Sequence, residues 1–340
     1  MRDPDDPALR TLTVLRWGQA EYERDLALDD GTQAGAGAPA HSGRPRLPAG
    51  ARLHVAELGD AAPLEDADVL VVPSLQRVTR AHVARLVAPR GRCRLVLTTT
   101  SGFDHVDVDA LRDAGIPCAR LPLVRRNAVV ETAVGMILAL TRRFGPFDVA
   151  AREGRWARAE LPALGATLLG TVGVVGAAGV IGSRMCAVLE ALGARVLRCD
   201  PRLQDGAPLD RLLSESDVLT LHCSLTPATR DLVDARALAR MRPGAVLVNT
   251  ARGPSVDVAA AHAALREGRL GGLGLDVYPR EPAALADLRH PGAILLPHAA
   301  GWHPRLGDLV AEGIARAVGA LARGEAIPFA VEAEDNGGER

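Results

Sequence analysis

The sequence predicts an α/β protein of two parallel-sheet domains, each wound with helices on both faces, meeting at a cleft. Three observations carry that prediction. Short apolar runs alternate with helix-length segments along most of the chain. A strand, a glycine-rich turn and a helix follow one another from Thr171 to about Leu192. An apolar helical repeat after Arg305 is left over once the second sheet is complete. The 340 residues suffice for two cores. Hydrophobic residues make up 48% of the chain and aromatics only 3%, so Ala, Val and Leu must fill the interior. That composition suits buried parallel strands covered by Ala-rich helices.

Taken in order, the runs Thr11–Trp17, Arg52–Leu58, Asp68–Pro73, Arg94–Thr100 and Pro117–Leu121 predict a first, flavodoxin-like sheet. Residues 29–50, rich in Gly, Ala and Pro, predict a surface loop inserted within it. A helix bearing Val130, Val134, Ile137 and Leu138, from Asn127 to about Arg143, carries the chain into the second domain. Six further runs, at 171–176, 195–199, 217–222, 245–249, 271–276 and 293–297, predict a doubly wound, Rossmann-like dinucleotide-binding sheet. Leu306, Leu309, Val310, Ile314, Val318 and Leu321 then repeat at helical spacing. This last helix has no place in the second sheet and is expected to pack back on the first. The first domain is therefore expected to comprise 1–122 and 303–340, and the second 123–302.

Several function classes are disfavoured by composition. All 40 basic residues are Arg, so no lysine chemistry is available. A formal charge of −1 without a basic block gives no reason to expect nucleic acid as a partner. Cys93, Cys118, Cys186, Cys199 and Cys223 are scattered and never spaced as CxxC, as expected for reduced thiols of a cytoplasmic protein with no metal site. The acidic start Met1-Arg2-Asp3-Pro4-Asp5-Asp6 does not read as a secretory signal. Ala163–Gly182 lacks charge for 20 residues, but its recurring glycines fit a loop, strand and tight turn better than a membrane helix.

The segment Thr171-Val-Gly-Val-Val-Gly-Ala-Ala-Gly-Val-Ile-Gly182 runs from a strand through a turn into a helix. Such a turn lets backbone approach a pyrophosphate at the helix N-terminus, which assigns Gly179, Val180, Ile181 and Gly182 to the cofactor. Asp200 closes the next strand, 200 − 182 = 18 residues on, close to the ~20 expected for an acid on the ribose hydroxyls. Its charge would repel a 2′-phosphate and favours NAD over NADP, although Arg198 and Arg202 lie near enough to oppose it. The turn departs from GxGxxG. Read from Gly176 it is one residue too long; read from Ala177 the spacing is right but alanine stands first, and this second register is the one favoured.

Three segments at predicted strand ends carry reactive side chains: Val248-Asn-Thr-Ala-Arg-Gly253, Leu275-Asp-Val-Tyr-Pro-Arg-Glu-Pro282 and Leu296-Pro-His-Ala-Ala-Gly301. Reduction of a 2-keto acid needs a fixed cation for the carboxylate, a proton donor for the carbonyl oxygen and a partner for that donor. Arg252 supplies a planar fork, His298 a proton titratable near neutrality, and Glu281 a carboxylate to fix the imidazole tautomer and favour its charged form. His298 and His303 have no acidic or thiol ligands at metal-binding spacing.

These segments resemble the NTARG, LDVxxxEP and PHxAG motifs of the D-isomer-specific 2-hydroxyacid dehydrogenase family, over roughly residues 50–325. Thr99–Asp107 is similar to the family's substrate loop, and Asn127-Ala-Val-Val-Glu131 to its NxxxVAE helix start. The resemblance implies that backbone amides at Ser101 and Gly102 join Arg252 in holding a substrate carboxylate. It also implies that Asp276 contacts the nicotinamide carboxamide, and that His222, Cys223, Thr250, Ala251 and Gly301 line the cofactor. It further implies an NAD-dependent enzyme acting on a small D-2-hydroxy or 2-keto acid, as a homodimer. Glyoxylate or hydroxypyruvate reductase, D-lactate dehydrogenase and phosphoglycerate dehydrogenase activities stay open, and so does an NAD-sensing co-repressor role, since such relatives can keep the three catalytic residues. Ser224 replaces the proline of the family's HxPL, and Trp302-His303 follows Gly301 where smaller residues are usual.

Overall fold

The computed structural model describes residues 13–17, 47, 51–56, 64–73, 76–89, 91–159 and 170–331. The predicted 29–50 loop, Leu47 apart, lies outside the described residues, as do the chain start and the uncharged 163–169 stretch. The chain divides into two compact units, Met1–Arg125 with His303–Arg340, and Arg126–Trp302.

In the first unit, β1 (Thr13–Trp17), β2 (Arg52–Ala56), β3 (Val69–Val72), β4 (Leu95–Thr98) and β5 (Cys118–Arg120) form a parallel sheet in the order β2-β1-β3-β4-β5. This is the flavodoxin-like order. Strands β3 and β4 are apolar at nearly every position because both faces are covered, and the two-residue period divides their side chains. Val69, Val71, Leu95, Leu97 and Ala119 face α9 (Leu306–Ala322) through Val310, Ile314 and Val318. Leu70, Val72, Val96 and Cys118 face α1 (Arg80–Leu86) and α2 (Val108–Asp113) through Val83, Leu86 and Leu111. The last helix thus completes the first sheet. Gly313 is the contact point: a Cβ there would stand 2.8 Å from the Leu121 side chain.

In the second unit, β6 (Thr171–Val175), β7 (Arg195–Cys199), β8 (Val218–Leu221), β9 (Ala245–Asn249), β10 (Leu270–Leu275) and β11 (Ala293–Leu295) are parallel in the order β11-β10-β9-β8-β6-β7. Val172, Val174, Val218, Val246 and Val248 face α3 (Arg126–Thr141) and α5 (Val180–Ala191). Leu219, Leu221, Leu247, Leu273 and Leu275 face α6 (Leu209–Glu215), α7 (Ala235–Arg240) and α8 (Val258–Arg266). On β10 the alternation is Gly against Leu. Cβ atoms at Gly272 and Gly274 would meet Leu140 and Met136 at 3.1–3.3 Å, so the glycines let α3 lie close to the sheet. Asp107, Asp234 and Asp257 each cap a following helix by accepting the N–H three residues on, at 2.8–3.0 Å. A further exposed helix, α4 (Phe144–Arg152), follows α3.

Several strands are shorter than the apolar runs that predict them: β3 is Val69–Val72, β4 Leu95–Thr98 and β11 Ala293–Leu295, and the residues that follow them leave the ladder to build loops. Counted within the second unit the strand order is 2-1-3-4-5-6, with β7 at the edge. No helix among the described residues is long and apolar enough to cross a membrane. Ile314 is fully buried between α9 and the first sheet, so Ile314→Ala is expected to cost about 2–5 kcal/mol. A urea denaturation midpoint for the variant equal to that of the parent would show that α9 does not complete that core.

Candidate active site

Because all six strands of the second unit are parallel, their following loops emerge on one edge of the sheet. That edge collects Gly176–Gly179, Asp200, His222-Cys223, Thr250–Gly253, Asp276–Glu281 and Leu296–Gly301. The chain switches direction between β6 and β8, where open α/β sheets offer a crevice. At that switch the loops touch: a Cβ on Gly176 would lie 2.6 Å from the Cys223 nitrogen and the His222 carbonyl carbon.

The glycine turn corrects the expected register. The residue with left-handed backbone is Gly176, at φ +80°, and it also bears the close approach. Gly176, and not Ala177, is therefore the first glycine, while Ala177 is buried among Val172, Val174 and Met185. A Cβ on Gly182 would stand 2.1 Å from the Gly176 oxygen, so Gly182 is required where α5 meets its strand. Spacing could not show this, because the register depends on which residue takes positive φ. Gly179 is the α5 N-cap and offers no side chain to its amides, leaving Val180, Ile181 and Gly182 N–H groups at a bare helix N-terminus.

Asp200 stands at the end of β7, but its carboxylate is engaged within the protein. One oxygen accepts the Arg202 backbone N–H and Nε at 3.1 and 3.0 Å; the other accepts the Ala178 N–H at 3.0 Å and Arg202 Nη2 at 3.1 Å. Burial pushes its pKa up, but these bonds outweigh burial and hold it below the usual carboxylate range. Arg202, near Asp200 in sequence, is thus joined there by Ala178, a contact that motif matching does not reveal.

His298, Glu281 and Arg252 come from the ends of β11, β10 and β9. His298 Nδ1 lies 2.6 Å from Glu281 Oε2, and Glu281 Oε1 accepts the Tyr278 N–H at 3.0 Å. Burial pushes the Glu281 carboxyl up, but the bonds from His298 and Tyr278 and the charge of Arg252 bring it below its ordinary value. The loop of Arg252 is tied by Asn249, whose Nδ2 donates to the Arg252 carbonyl at 2.8 Å and whose Oδ1 accepts the Ala251 N–H at 3.0 Å. Gly253 follows because nothing larger fits: its Cβ would meet the Tyr278 backbone at about 2.0 Å. The Tyr278 hydroxyl donates to the Leu275 and Leu296 carbonyls, joining the ends of β10 and β11.

Asp276 is not placed as a free acceptor. It is buried, and its carboxylate accepts the Ala299 N–H at 2.7 Å and the Ala300 N–H at 3.1 Å, while its carbonyl accepts the His298 N–H at 2.8 Å. These bonds hold His298 at φ +56°, left-handed for a side chain that rarely adopts it. Burial lifts the Asp276 carboxyl; the two amides and the charge of His298 offset part of the lift.

His222 is half-buried, with its ring Nε2 bonded to Thr220 Oγ1 at 3.0 Å, and desolvation of the ring lowers its pKa to about 4. Its Nδ1 and the Thr250 Oγ1 are buried without a partner. Ala251 and Cys223 are apolar lining, the Cys223 thiol being pushed up to about 11 by burial. Gly301 follows the turn held by Asp276. The cradle emptied of Cβ atoms at Gly176 and Gly182, the bare α5 N-terminus and the two orphaned polar atoms suit a dinucleotide. Among the described residues no group of His, Cys, Asp or Glu is arranged to hold a metal.

In the first unit, the loop of Ser101 and Gly102 follows β4. Thr100 Oγ1 donates to the Gly102 carbonyl at 2.7 Å and Ser101 Oγ to that of Pro122 at 3.2 Å. Arg120 donates to the Ser101 carbonyl at 3.3 Å, and Arg125 to that of Thr99. Planar trans peptides turn the following N–H groups the opposite way, so Gly102 N–H points away from Arg120. His105 bonds Thr98 and His303 the Val124 carbonyl.

Residues 134–300 match the D-isomer specific 2-hydroxyacid dehydrogenase, NAD binding domain. An erythronate-4-phosphate dehydrogenase from Cronobacter sakazakii is 39% identical over 251 residues, 71% of this chain; the chain spans 60% of that relative's length. A glycerate dehydrogenase from Methylorubrum extorquens is 34% identical over 245 residues, covering 68% of this chain and 77% of the relative. The structure of a D-lactate dehydrogenase from Aquifex aeolicus, complexed with NAD and lactic acid, superposes with a TM-score of 0.75 at 25% identity, over 92% of this chain and 96% of that one. The chain belongs to the D-isomer specific 2-hydroxyacid dehydrogenase family, and its second unit carries the family's NAD-binding domain.

Asp276→Ala would leave the amides of the His298 turn without their carboxylate acceptor, each at a cost of about 1–3 kcal/mol where it stays buried. The expected outcome is a lowered urea midpoint. An unchanged midpoint would show that the turn is held by other contacts.

Proposed function

We propose that this family member is an NAD-dependent oxidoreductase that interconverts a small D-2-hydroxy acid and its 2-keto acid. The observation that carries the reading is the 2.6 Å pair of His298 and Glu281, on the same sheet edge as the glycine turn and Arg252. A nicotinamide held at this edge would supply or take up the hydride at the substrate's C2. With Nδ1 committed to Glu281, His298 presents Nε2 as the proton donor to the carbonyl oxygen in reduction and as the acceptor in oxidation. Glu281, held ionised, fixes that tautomer. Arg252 is assigned to the substrate carboxylate, where its planar fork suits two oxygens. The amides of Ser101 and Gly102 are assigned to carboxylate binding.

The names of the relatives support a small 2-hydroxy acid as substrate class. A second copy of the chain is the proposed partner. Phe144, Val149 and Trp156, the last 87% exposed, form an apolar stretch on and after α4 that association would cover. The five free thiols fit a reducing, cytoplasmic setting.

The test is a panel of glyoxylate, hydroxypyruvate, pyruvate and bulkier keto acids with NADH, followed by absorbance of the reduced nicotinamide. Turnover of at least one is expected. His298→Ala should lose on the order of 10²–10⁴-fold in rate, the usual worth of a positioned acid or base. Arg252→Lys keeps the charge without the fork and should remain strongly impaired. NADH binding without turnover of any keto acid would leave a nucleotide-binding role and remove the catalytic one. Retained activity in His298→Ala would assign the proton to another group.

A further inference from the structure

We propose that Arg202 reads the adenosine 2′ position, cancelling the charge of Asp200 and offering a guanidinium to a 2′-phosphate, so that the chain binds NADPH as well as NADH. The inference rests on the nucleotide-binding reading above and concerns what the chain's own residues present to that ligand.

An acid at the end of the second strand favours NAD for two reasons: it accepts the ribose hydroxyls, and its charge repels a 2′-phosphate. Both need a carboxylate with lone pairs and charge to spare. Asp200 has neither. An ionised carboxylate has about four lone-pair sites, and here they meet the Ala178 N–H, the Arg202 backbone N–H and two guanidinium nitrogens, all within 3.1 Å. The Asp200 side chain is 3% exposed while that of Arg202 is 52% exposed. The surface offered to a ligand is therefore guanidinium, and the pair is neutral as a unit.

Its position is also suited to the role. Arg202 Nη2 would lie 3.7 Å from a Cβ on Gly179, so the guanidinium spans from the acid to the glycine turn. The two cations on β7 are paired elsewhere, Arg198 with Glu190 of α5 at 2.6 Å and Arg195 with Glu215 at 3.1 Å. The longer glycine turn contributes directly, since Ala178, within the turn, delivers the amide that occupies Asp200. A 2′-phosphate brings close to two negative charges and strong acceptor oxygens, and a planar guanidinium is the side chain that meets them best. NADH needs no such contact and loses little when Arg202 is absent.

The experiment is equilibrium titration of the full chain with NADH and NADPH, read by reduced-nicotinamide fluorescence without keto acid. ADP-ribose and 2′-phospho-ADP-ribose are compared by calorimetry. The parent is expected to bind NADPH within about tenfold of NADH. Arg202→Ala should weaken NADPH and 2′-phospho-ADP-ribose by about tenfold to a hundredfold, the worth of a hydrogen bond to a charged group, and leave NADH and ADP-ribose nearly unchanged. Arg202→Lys, with melting temperatures of both ligand-free variants, guards against a folding defect and should keep part of the NADPH affinity. A parent that disfavours NADPH by more than about tenfold, or an Arg202→Ala that weakens both nucleotides equally, would overturn the proposal. Binding of neither nucleotide would overturn the dehydrogenase reading itself; binding of NADH alone overturns only the role given to Arg202.

Discussion

A carboxylate kept out of water at Asp276 fixes where the proposed proton-transfer group stands, and much of the edge of the second sheet follows from it. Its acceptance of the Ala299 and Ala300 amides, with its carbonyl on the His298 amide, forces the chain through a left-handed residue at His298. That backbone sends Nδ1 to Glu281. Glu281 is aimed in turn by the Tyr278 amide, and Tyr278 passes so close to Gly253 that no side chain fits there. Gly253 is the neighbour of Arg252. Each residue of the proposed machinery is therefore placed by a contact with the one before it. The strain of a non-glycine residue at positive φ, of order 1–3 kcal/mol, persists because three bonds from one residue oppose its release.

Much of this is legible in the amino-acid sequence, for reasons particular residues show. Buried parallel strands read as unbroken apolar runs, so Val69–Val72 and Leu95–Thr98 declare themselves. So does the leftover repeat of Leu306–Leu321, because a helix with one apolar face must find a sheet to cover. Arg252, Glu281 and His298 stand out because each lies in a short local motif at a strand end. What escapes is non-local. No spacing rule shows that Gly176 takes positive φ, or that Ala178 and Arg202 converge on Asp200 from separate loops. The strand order escapes as well, since a run of residues records that a strand exists and not which neighbour it pairs with. Asp276 is the instructive case: its motif is recognisable, while its bonds, made to residues 23 and 24 positions away, are not.

The all-arginine composition acquires a structural meaning in these loops. A guanidinium can hold an oxygen with two nitrogens in a fixed plane, which an ammonium cannot. Arg202 uses that fork on Asp200, and in the first unit Arg120 and Arg125 hold the Ser101 and Thr99 carbonyls. The result is loop backbone oriented by directional side-chain donors. Lysine in these places would supply charge without direction.

Both units thus hold their loops in place with bonds internal to the protein. Thr98, Thr100 and Ser101 brace the loop after β4; Asn249 braces the one after β9, and Asp276 the one after β11. Such bracing matters because a misplacement of about 1 Å at a reacting group can cost on the order of 10²-fold in rate. It has a second consequence at the glycine turn. A residue that has spent its hydrogen-bonding capacity on the protein cannot also spend it on a ligand. Asp200 spends four contacts on the glycine turn and on Arg202, while Asp276 accepts two amides of the His298 loop. In the proposed reading, recognition of the ligand passes to the groups they position: the amides of the α5 N-terminus, the Arg202 guanidinium, and the imidazole of His298.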